Sequence, residues 1–292
     1  EHFLNWSNFK GIFLATSVVG ILAMGVTFVI ITAGIDLSVG TVMTFAAVMT
    51  GVFITNLGIP WPIGVVLGIL SGTLMGLVNG TLVARFGLPP FIATLGMLNI
   101  ARGLALVISE LRPIYFPDQP GFNQFFMGSI MEDMGLPDLP NLFFVFVIAA
   151  VVTWFILGKT IVGRYIFAIG SNEDATRLSG VRTMRYTASA YIISGTMAGL
   201  AGVVLAARLN SAQPSTGFGY ELEAIAAAVI GGTSLAGGEG TITGTIIGAF
   251  IISVLTNGLR LMGIPQEWQI TITGVIVIGA VYLDILRRRQ KA

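Results

Sequence analysis

The stretch Gly163 to Gly180, GRYIFAIGSNEDATRLSG, decides how this chain is read. Apolar runs long enough to cross a bilayer lie on both sides of it. It is the long hydrophilic run whose charges tilt basic: Lys159, Arg164, Arg177, Arg182 and Arg185 surround two acids, Glu173 and Asp174. Cytoplasmic loops carry an excess of Lys and Arg, so segment 159–185 is expected on that side of the membrane. Within it, Ser171 is placed to cap a helix, and Asp174 three residues on completes a capping box. Glu173 and Asp174 suit the positive end of a helix dipole. Gly180 suits the C′ position, where a left-handed backbone favours glycine. The spacing therefore predicts a short helix over 172–179, outside the membrane. Ala175 and Leu178, three apart, share one face and suit a partner's groove. On local features alone, the same segment also reads as a capped connector touching nothing.

Composition sets the class around that loop. The 292 residues are 54% hydrophobic and 10% charged, against about 25% charged in soluble domains. A mean hydropathy of +0.88 agrees. This is a polytopic all-α membrane protein, because apolar runs near 20 residues recur along it. A net charge of +1 carries no nucleic-acid signal. With no cysteine and with His2 as the one histidine, thiolate, disulfide and histidine chemistry have no residues to work with. Residue 1 is Glu, so the native start is expected to lie upstream, and no cleavable signal peptide is evident.

Residues 1–10, with Phe3, Trp6 and Phe9, suit an interfacial segment. Nine spans are predicted, at about 11–33, 37–57, 61–85, 88–109, 141–158, 185–207, 219–237, 239–259 and 267–286. The tail 287–292, led by Arg287, Arg288 and Arg289, is basic and so expected inside, like the central loop; four spans separate the two, an even number. Loop 110–140 sets Glu110, Asp118, Glu132, Asp133 and Asp138 against Arg112, and one span divides it from the central loop, so it is expected outside. It is long for a helix connection and reads as ordered surface or a binding element. Its aromatics, Tyr115, Phe116, Phe122, Phe125 and Phe126, are expected to pack.

Gly64, Gly68, Gly72, Gly76 and Gly80 recur every fourth residue, as do Gly195 and Gly199, and Gly240, Gly244 and Gly248. Such rows let helix backbones approach closely in lipid and read as packing faces. AGIDLSVG (33–40) and GGTSLAGG (231–238) share Gly-x-x-Leu-x-x-Gly and interrupt apolar runs. Broken helices at mid-membrane often frame substrate sites. Asp36 reads either as a helix cap or as a gate or pathway contact. Arg102 reads as snorkelling, acid-paired or pathway-facing, and Glu221 and Glu223 as caps or docking groups. A sugar needs hydroxyl-matching groups and apolar surface; Asn79, Thr94, Asn99 and Thr233 offer the first, Phe45 and Phe91 the second, and Ser38 is read with Asp36 as a pathway or gate residue. Each of these also reads as ordinary helix packing. Gly158-Lys159-Thr160 imitates the end of a phosphate loop, but Thr153 stands where its first glycine belongs, and the tripeptide sits at a membrane exit. Lys159 is better read as a snorkelling anchor. No catalytic or metal-binding set is present.

Further stretches carry a resemblance: GTMAGLAGVVLAARL (195–209), AGIDLSVG (33–40), PPFIATLGM (89–97) and ARLNSAQPSTGFGYELEAIAAAVIGGTSLAGG (207–238). With the loop helix, they resemble the permease subunit of ribose-type ABC importers over nearly the whole chain. The resemblance implies ten helices, one of them before residue 1. It implies that Asn172, Glu173, Asp174, Ala175, Thr176, Arg177, Leu178 and Gly180 form a coupling helix docking on a cytoplasmic ATPase. It further implies a second permease subunit, a periplasmic sugar-binding protein and a monosaccharide substrate, ribose first. ATP and magnesium would sit on the ATPase, with no cofactor on this chain. An ion-coupled secondary transporter would need more intramembrane ionisable groups, and a membrane scaffold leaves the loop helix unexplained.

Overall fold

In a bilayer each backbone N–H and C=O needs a partner within the protein, and this chain meets that demand almost wholly with helices. A computed structural model describes residues 3–116, 120–133, 135 and 137–291, with the side chains of Pro120, Asp133, Ala280 and 283–291 excepted. Asp118, Glu1, His2 and the basic side chains of the tail therefore lie outside the described residues. The order is α1 (Trp6–Ile31), α2 (Val39–Gly51) continued by a π-helical turn (Val52–Asn56), α3 (Trp61–Ala84) and α4 (Pro90–Ile108). Next come β1 (Ile114–Tyr115), α5 (Pro120–Met127), α6 (Ile130–Asp133), α7 (Asn141–Lys159), α8 (Ile161–Ser171), α9 (Glu173–Leu178) and α10 (Thr183–Leu209). The chain closes with β2 (Ser211–Ala212), α11 (Tyr220–Ile230), α12 (Ile242–Leu261) and α13 (Gln266–Lys291). Prolines at or before the first turn start α3, α4 and α7; the ring fixes φ, and its missing N–H is one the helix leaves unpaired anyway.

Among the described residues, seven helices are long and apolar enough to span a membrane, not the nine expected. The difference arises at the carboxyl-terminal end. The expected span 219–237 contains a helix of only 11 residues, α11, about 16 Å long. Gly231 closes it, and Gly232 turns the chain away with φ 91°. The ninth expected span lies within α13.

Helices α1 and α10 are buried on nearly all sides, whereas α3, α4, α7 and α12 present broad apolar faces outward. Glycine sets the closest contact. A Cβ on Gly72 would stand 2.6 Å from the Gly199 Cα, and one on Gly195 would stand 2.6 Å from the Gly76 Cα. The backbones of α3 and α10 therefore touch, and dispersion along the seam holds them. Thr73 and Thr196 add a hydroxyl–hydroxyl bond of 3.0 Å beside it. Gly244 and Gly248 do the same for α12 against Gly231 and Ala227 of α11. The expected packing faces are thus present.

The two ends of the bundle are defined by contacts along α1, whose 26 residues span about 39 Å. At its start, Lys10 forms an ion pair with Asp138, Trp6 Nε1 donates to the Asp138 carbonyl at 3.2 Å, and Asn257 Nδ2 donates to Asn8 Oδ1 at 2.9 Å. The two-residue strands, far apart in the chain, pair antiparallel, Ile114 opposite Ala212 and Tyr115 opposite Ser211. Phe116, Phe122 and Phe126 are buried there, with ring contacts among them and to Trp61, while Tyr115 and Phe125 stay exposed. At the far end of α1, Gly238 N–H donates to the Ile31 carbonyl at 2.9 Å, with Gly170 packed against both. Segments 110–140 and 159–185 thus occupy opposite ends.

Residues 211–219 are not helical. They descend beside α2, with Ala212 against Gly51, Thr44 Oγ1 donating to the Thr216 carbonyl at 2.6 Å, and Glu221 against Gly40. Gly51 to Gly40 is about 16 Å of helix. This stretch therefore occupies the part of the crossing toward the Asp138 end, and α11 only the rest.

Candidate functional site

The break between α1 and α2 gathers polar groups inside an apolar bundle. Ala33 adopts φ 61° and turns the chain, and residues 34–38 run without helix into α2. Asp36, 1% exposed, accepts from the Ser38 N–H at 3.0 Å and the Ser38 hydroxyl at 2.6 Å on one oxygen, and from the Ser194 hydroxyl at 2.8 Å on the other. Asn79 Nδ2 donates to Ser38 Oγ at 2.9 Å, linking α3 to the same group. Thr94 Oγ1 reaches the Ile35 carbonyl at 3.3 Å from α4. Three expected residues, Asp36, Ser38 and Asn79, are therefore brought together, and Thr94 touches the same break. The cap reading of Asp36 needs correction. Ser38 holds the N-cap position of α2, and Asp36, two residues earlier, instead ties the break to α10.

Removing the carboxylate strands three donors. Asp36→Ala should destabilise the subunit by on the order of 1–3 kcal/mol, the penalty for leaving buried groups unpaired. Asp36→Asn, which keeps one carbonyl oxygen, should lose less. Thermal midpoints of the detergent-purified subunit check this; a midpoint for Asp36→Ala equal to wild type would remove the cluster from the fold's supports.

The other expected pathway residues scatter. Thr233 is buried at the second break, its hydroxyl unpartnered and close to Ile31 and Gly240. Phe45 is buried on α2. Phe91 and Asn99 lie on the exposed side of α4, where Asn99 Nδ2 donates to the Leu95 carbonyl at 3.1 Å. Arg102, also exposed on α4, places its guanidinium 5.3 Å from the ring centre of Phe218. Lys159 sits 5.6 Å from the ring centre of Trp154. Glu221 accepts the Gly219 N–H on both oxygens at 3.1 and 3.0 Å, as a local cap.

The loop helix is present as α9, one residue later than the capping box implied. Asn172, not Ser171, is the N-cap, and its Oδ1 accepts from the Ala175 N–H at 2.9 Å. Ser171 is spent as the last residue of α8, so Asn172 is the first free to cap. Gly180, φ 83°, closes the helix as expected: its N–H donates to Arg177 at 3.0 Å, and Val181 N–H reaches Thr176 at 3.4 Å. That double bond is the Schellman pattern. Asp174 pairs with Arg177 at 2.7 Å, both exposed; such a pair contributes less than about 1 kcal/mol. Thr176 is buried beneath the helix, while Glu173 and Ala175 face out and Leu178 is 87% exposed.

Helix α8 joins α9 to the breaks. A Cβ on Gly170 would stand 2.6 Å from Gly238 N and would also strike the Ile31 carbonyl. One on Gly237 would stand 3.0 Å from the Ala33 Cβ. The junction before α9 thus touches the end of α1 and the second interrupted stretch, which in turn meets the first at Ala33. Tyr165 and Tyr186, with ring centres 4.6 Å apart, fasten α8 to the first turn of α10.

Two residues of the Asp36 neighbourhood escape sequence reading. Ser194 lies 158 positions away from Asp36, in a run legible only as small-residue packing. Tyr191 is fully buried with an unpartnered hydroxyl that lies against Gly34.

A bundle of apolar helices with interrupted crossings, buried polar breaks and a short, capped, exposed helix at one end fits a membrane transport permease. Residues 8–281 match the model of the family described as the permease component of branched-chain amino acid transport systems, and the chain belongs to that family. It is 40% identical to the ribose import permease of Bacillus subtilis strain 168, covering 97% of this chain and 86% of that one. Identity to the D-allose transport system permease of Escherichia coli K12 is 39%, over 98% and 86%. The fructose import permease of Rhizobium meliloti is also 39% identical, over 94% and 77%. Among solved structures, the PsaBC complex of Streptococcus pneumoniae with a Fab aligns with a TM-score of 0.51 at 14% identity, over 97% of this chain and 92% of that chain, a likeness of fold alone.

Proposed function

We propose that this chain forms the membrane pathway of a monosaccharide importer of the ATP-binding-cassette class, with ribose as its first substrate. It is a permease subunit, multi-pass in the bacterial inner membrane, and its sugar-importing relatives carry the substrate class. Two copies would enclose the pathway, a periplasmic binding protein would deliver sugar, and a separate ATPase would supply work. Nine crossings in this chain, with the 159–185 loop and the tail in the cytoplasm and 110–140 outside, fit this arrangement.

The observation that carries the reading is α9. A capped helix with Leu178 turned to solvent, joined through Gly170 to the end of α1 and to the second interrupted stretch, suits a partner that pushes on it. Movement of α9 would be passed by α8 to the end of α1 and to both breaks. The chain lacks a phosphate loop, so ATP hydrolysis is assigned to the partner.

Co-expression with the cognate ATPase and reconstitution with the binding protein test this. The complex should import ribose and hydrolyse ATP faster when sugar-loaded binding protein is present; the permease alone should hydrolyse none. Uptake that persists without ATP and collapses with the ion gradient would favour a secondary transporter. Sidedness is checked separately, since the chain has no cysteine. Arg182→Cys should react with an impermeant thiol reagent only after the inner face is opened, and Glu132→Cys from outside in intact cells. Labelling of both from one side would sink the topology.

A further inference from the structure

Three charged side chains converge on a cavity at the Asp138 end without meeting one another. Arg208 closes α10, Glu223 lies in the first turn of α11, and Arg260 lies in the last turn of α12. All three line a cavity of about 160 Å³. It reaches from Gly11 to Val19 along α1, that is, about 8–20 Å in from the start of that helix. It shares Tyr220, Glu223 and Arg260 with a second cavity of about 620 Å³ between α11, α12 and α13. Among the described residues, no hydrogen bond or salt bridge joins these three charges to one another or to any other group; Glu223 and Arg260, and Arg208 and Tyr220, attract only through space. Charges at this depth are expensive without a polar companion.

Two further groups point to what that companion is. Ser253, 3% exposed, lines the cavity with its hydroxyl unpartnered. Asn257 gives its amide to Asn8 and leaves its buried Oδ1 without a donor. The wall therefore offers donors from two arginines, acceptors from Glu223 and Asn257, and a hydroxyl that serves as either. An anion would meet Glu223 and the Asn257 oxygen; a cation would meet both arginines. A solute whose groups donate and accept at once satisfies all of them, and the Tyr220 ring gives its C–H face a surface.

We infer that this cavity is a subsite for a neutral polyhydroxylated solute, a monosaccharide in the transport reading above, on which the inference rests. The sugar rests there after leaving the binding protein, with Glu223, Arg208 and Arg260 sharing its hydroxyls.

The test uses the complete importer in proteoliposomes, with its ATPase and binding protein, and D-ribose as probe. Glu223→Gln and Arg260→Gln should each lower the maximal import rate by about tenfold or more, the scale of losing one charge-assisted hydrogen bond, while the complex purifies intact. In a second arm, labelling of this subunit's band alone follows Ser253→Cys, which gives this chain its one thiol. Millimolar D-ribose should slow its reaction with a small methanethiosulfonate reagent, and inorganic phosphate should not. Protection by phosphate and not by ribose would overturn the inference in favour of an anion site. Wild-type import in both glutamine variants, with no ribose protection of Ser253→Cys, would overturn the subsite and leave the transport reading standing. A wild-type complex that imports no sugar would overturn both.

Discussion

Leu178→Asp should leave the subunit in the membrane at normal levels, release most of the ATPase on purification and abolish sugar-stimulated hydrolysis. Leu178 is 87% exposed on a helix that makes its own caps. Burying it against an ATPase groove would contribute roughly 1.5–3 kcal/mol. The aspartate forfeits that contribution and sets a charge in an apolar site, which is expensive unless paired. Glu173→Arg, in the first turn of α9, loses a dipole interaction of about 0.3–1 kcal/mol and reverses the charge offered to the partner. It should weaken coupling with less loss of binding. Neither residue lies in a membrane-spanning helix, so insertion should be unaffected. Intact ATPase binding and undiminished sugar uptake in both variants would remove α9 from the coupling path.

Gly195→Ala should be nearly as damaging, by a different route. The added carbon would stand 2.6 Å from the Gly76 Cα and 2.7 Å from its nitrogen. Both are backbone atoms, so no rotamer change relieves the clash; α3 and α10 must separate. A gap of even an ångström forfeits a large part of each dispersion contact along the seam, and overpacking of this kind costs about 1–3 kcal/mol, occasionally more. The bulkier Gly195→Val should prevent recovery of a monodisperse subunit from detergent. Gly158→Ala is the control, since nothing lies within 4 Å of its would-be carbon. Equal thermal midpoints for Gly195→Ala and Gly158→Ala would show that the seam is not held by backbone contact.

What could be read ahead of the structure, and what could not, divides along physical lines. The glycine rows were legible because a four-residue period places them on one helix face whatever that face meets. The loop helix α9 was legible because caps and dipole charges are local; it was misplaced by one residue because Ser171 and Asn172 are both good caps, and the reach of α8 decided between them. The shortness of α11 was only half legible: GGTSLAGG (231–238) marked an interruption, yet the span 219–237 was still counted whole. Hydropathy sums over residues 219–237 and is indifferent to whether they are coiled into a helix, so the turn at Gly232 leaves no trace in it. The partnership of Asp36 with Ser194 was not legible, because it depends on how α10 is rotated against the first break. The charges around the cavity were half seen: Glu223 stood out in the sequence, but its convergence with Arg208 and Arg260 needs three helix ends in one place.

The non-helical stretch 211–219 has a kinematic consequence. Its amides and carbonyls have no helical ladder to rely on, and lipid offers them nothing. It is therefore bound to its sheath: Thr44 holds the Thr216 carbonyl, and Gly40 leaves room for Gly217 and Glu221. Any rearrangement of the Asp138 half of the bundle carries α2 and this stretch together, so relative sliding has to occur at other seams.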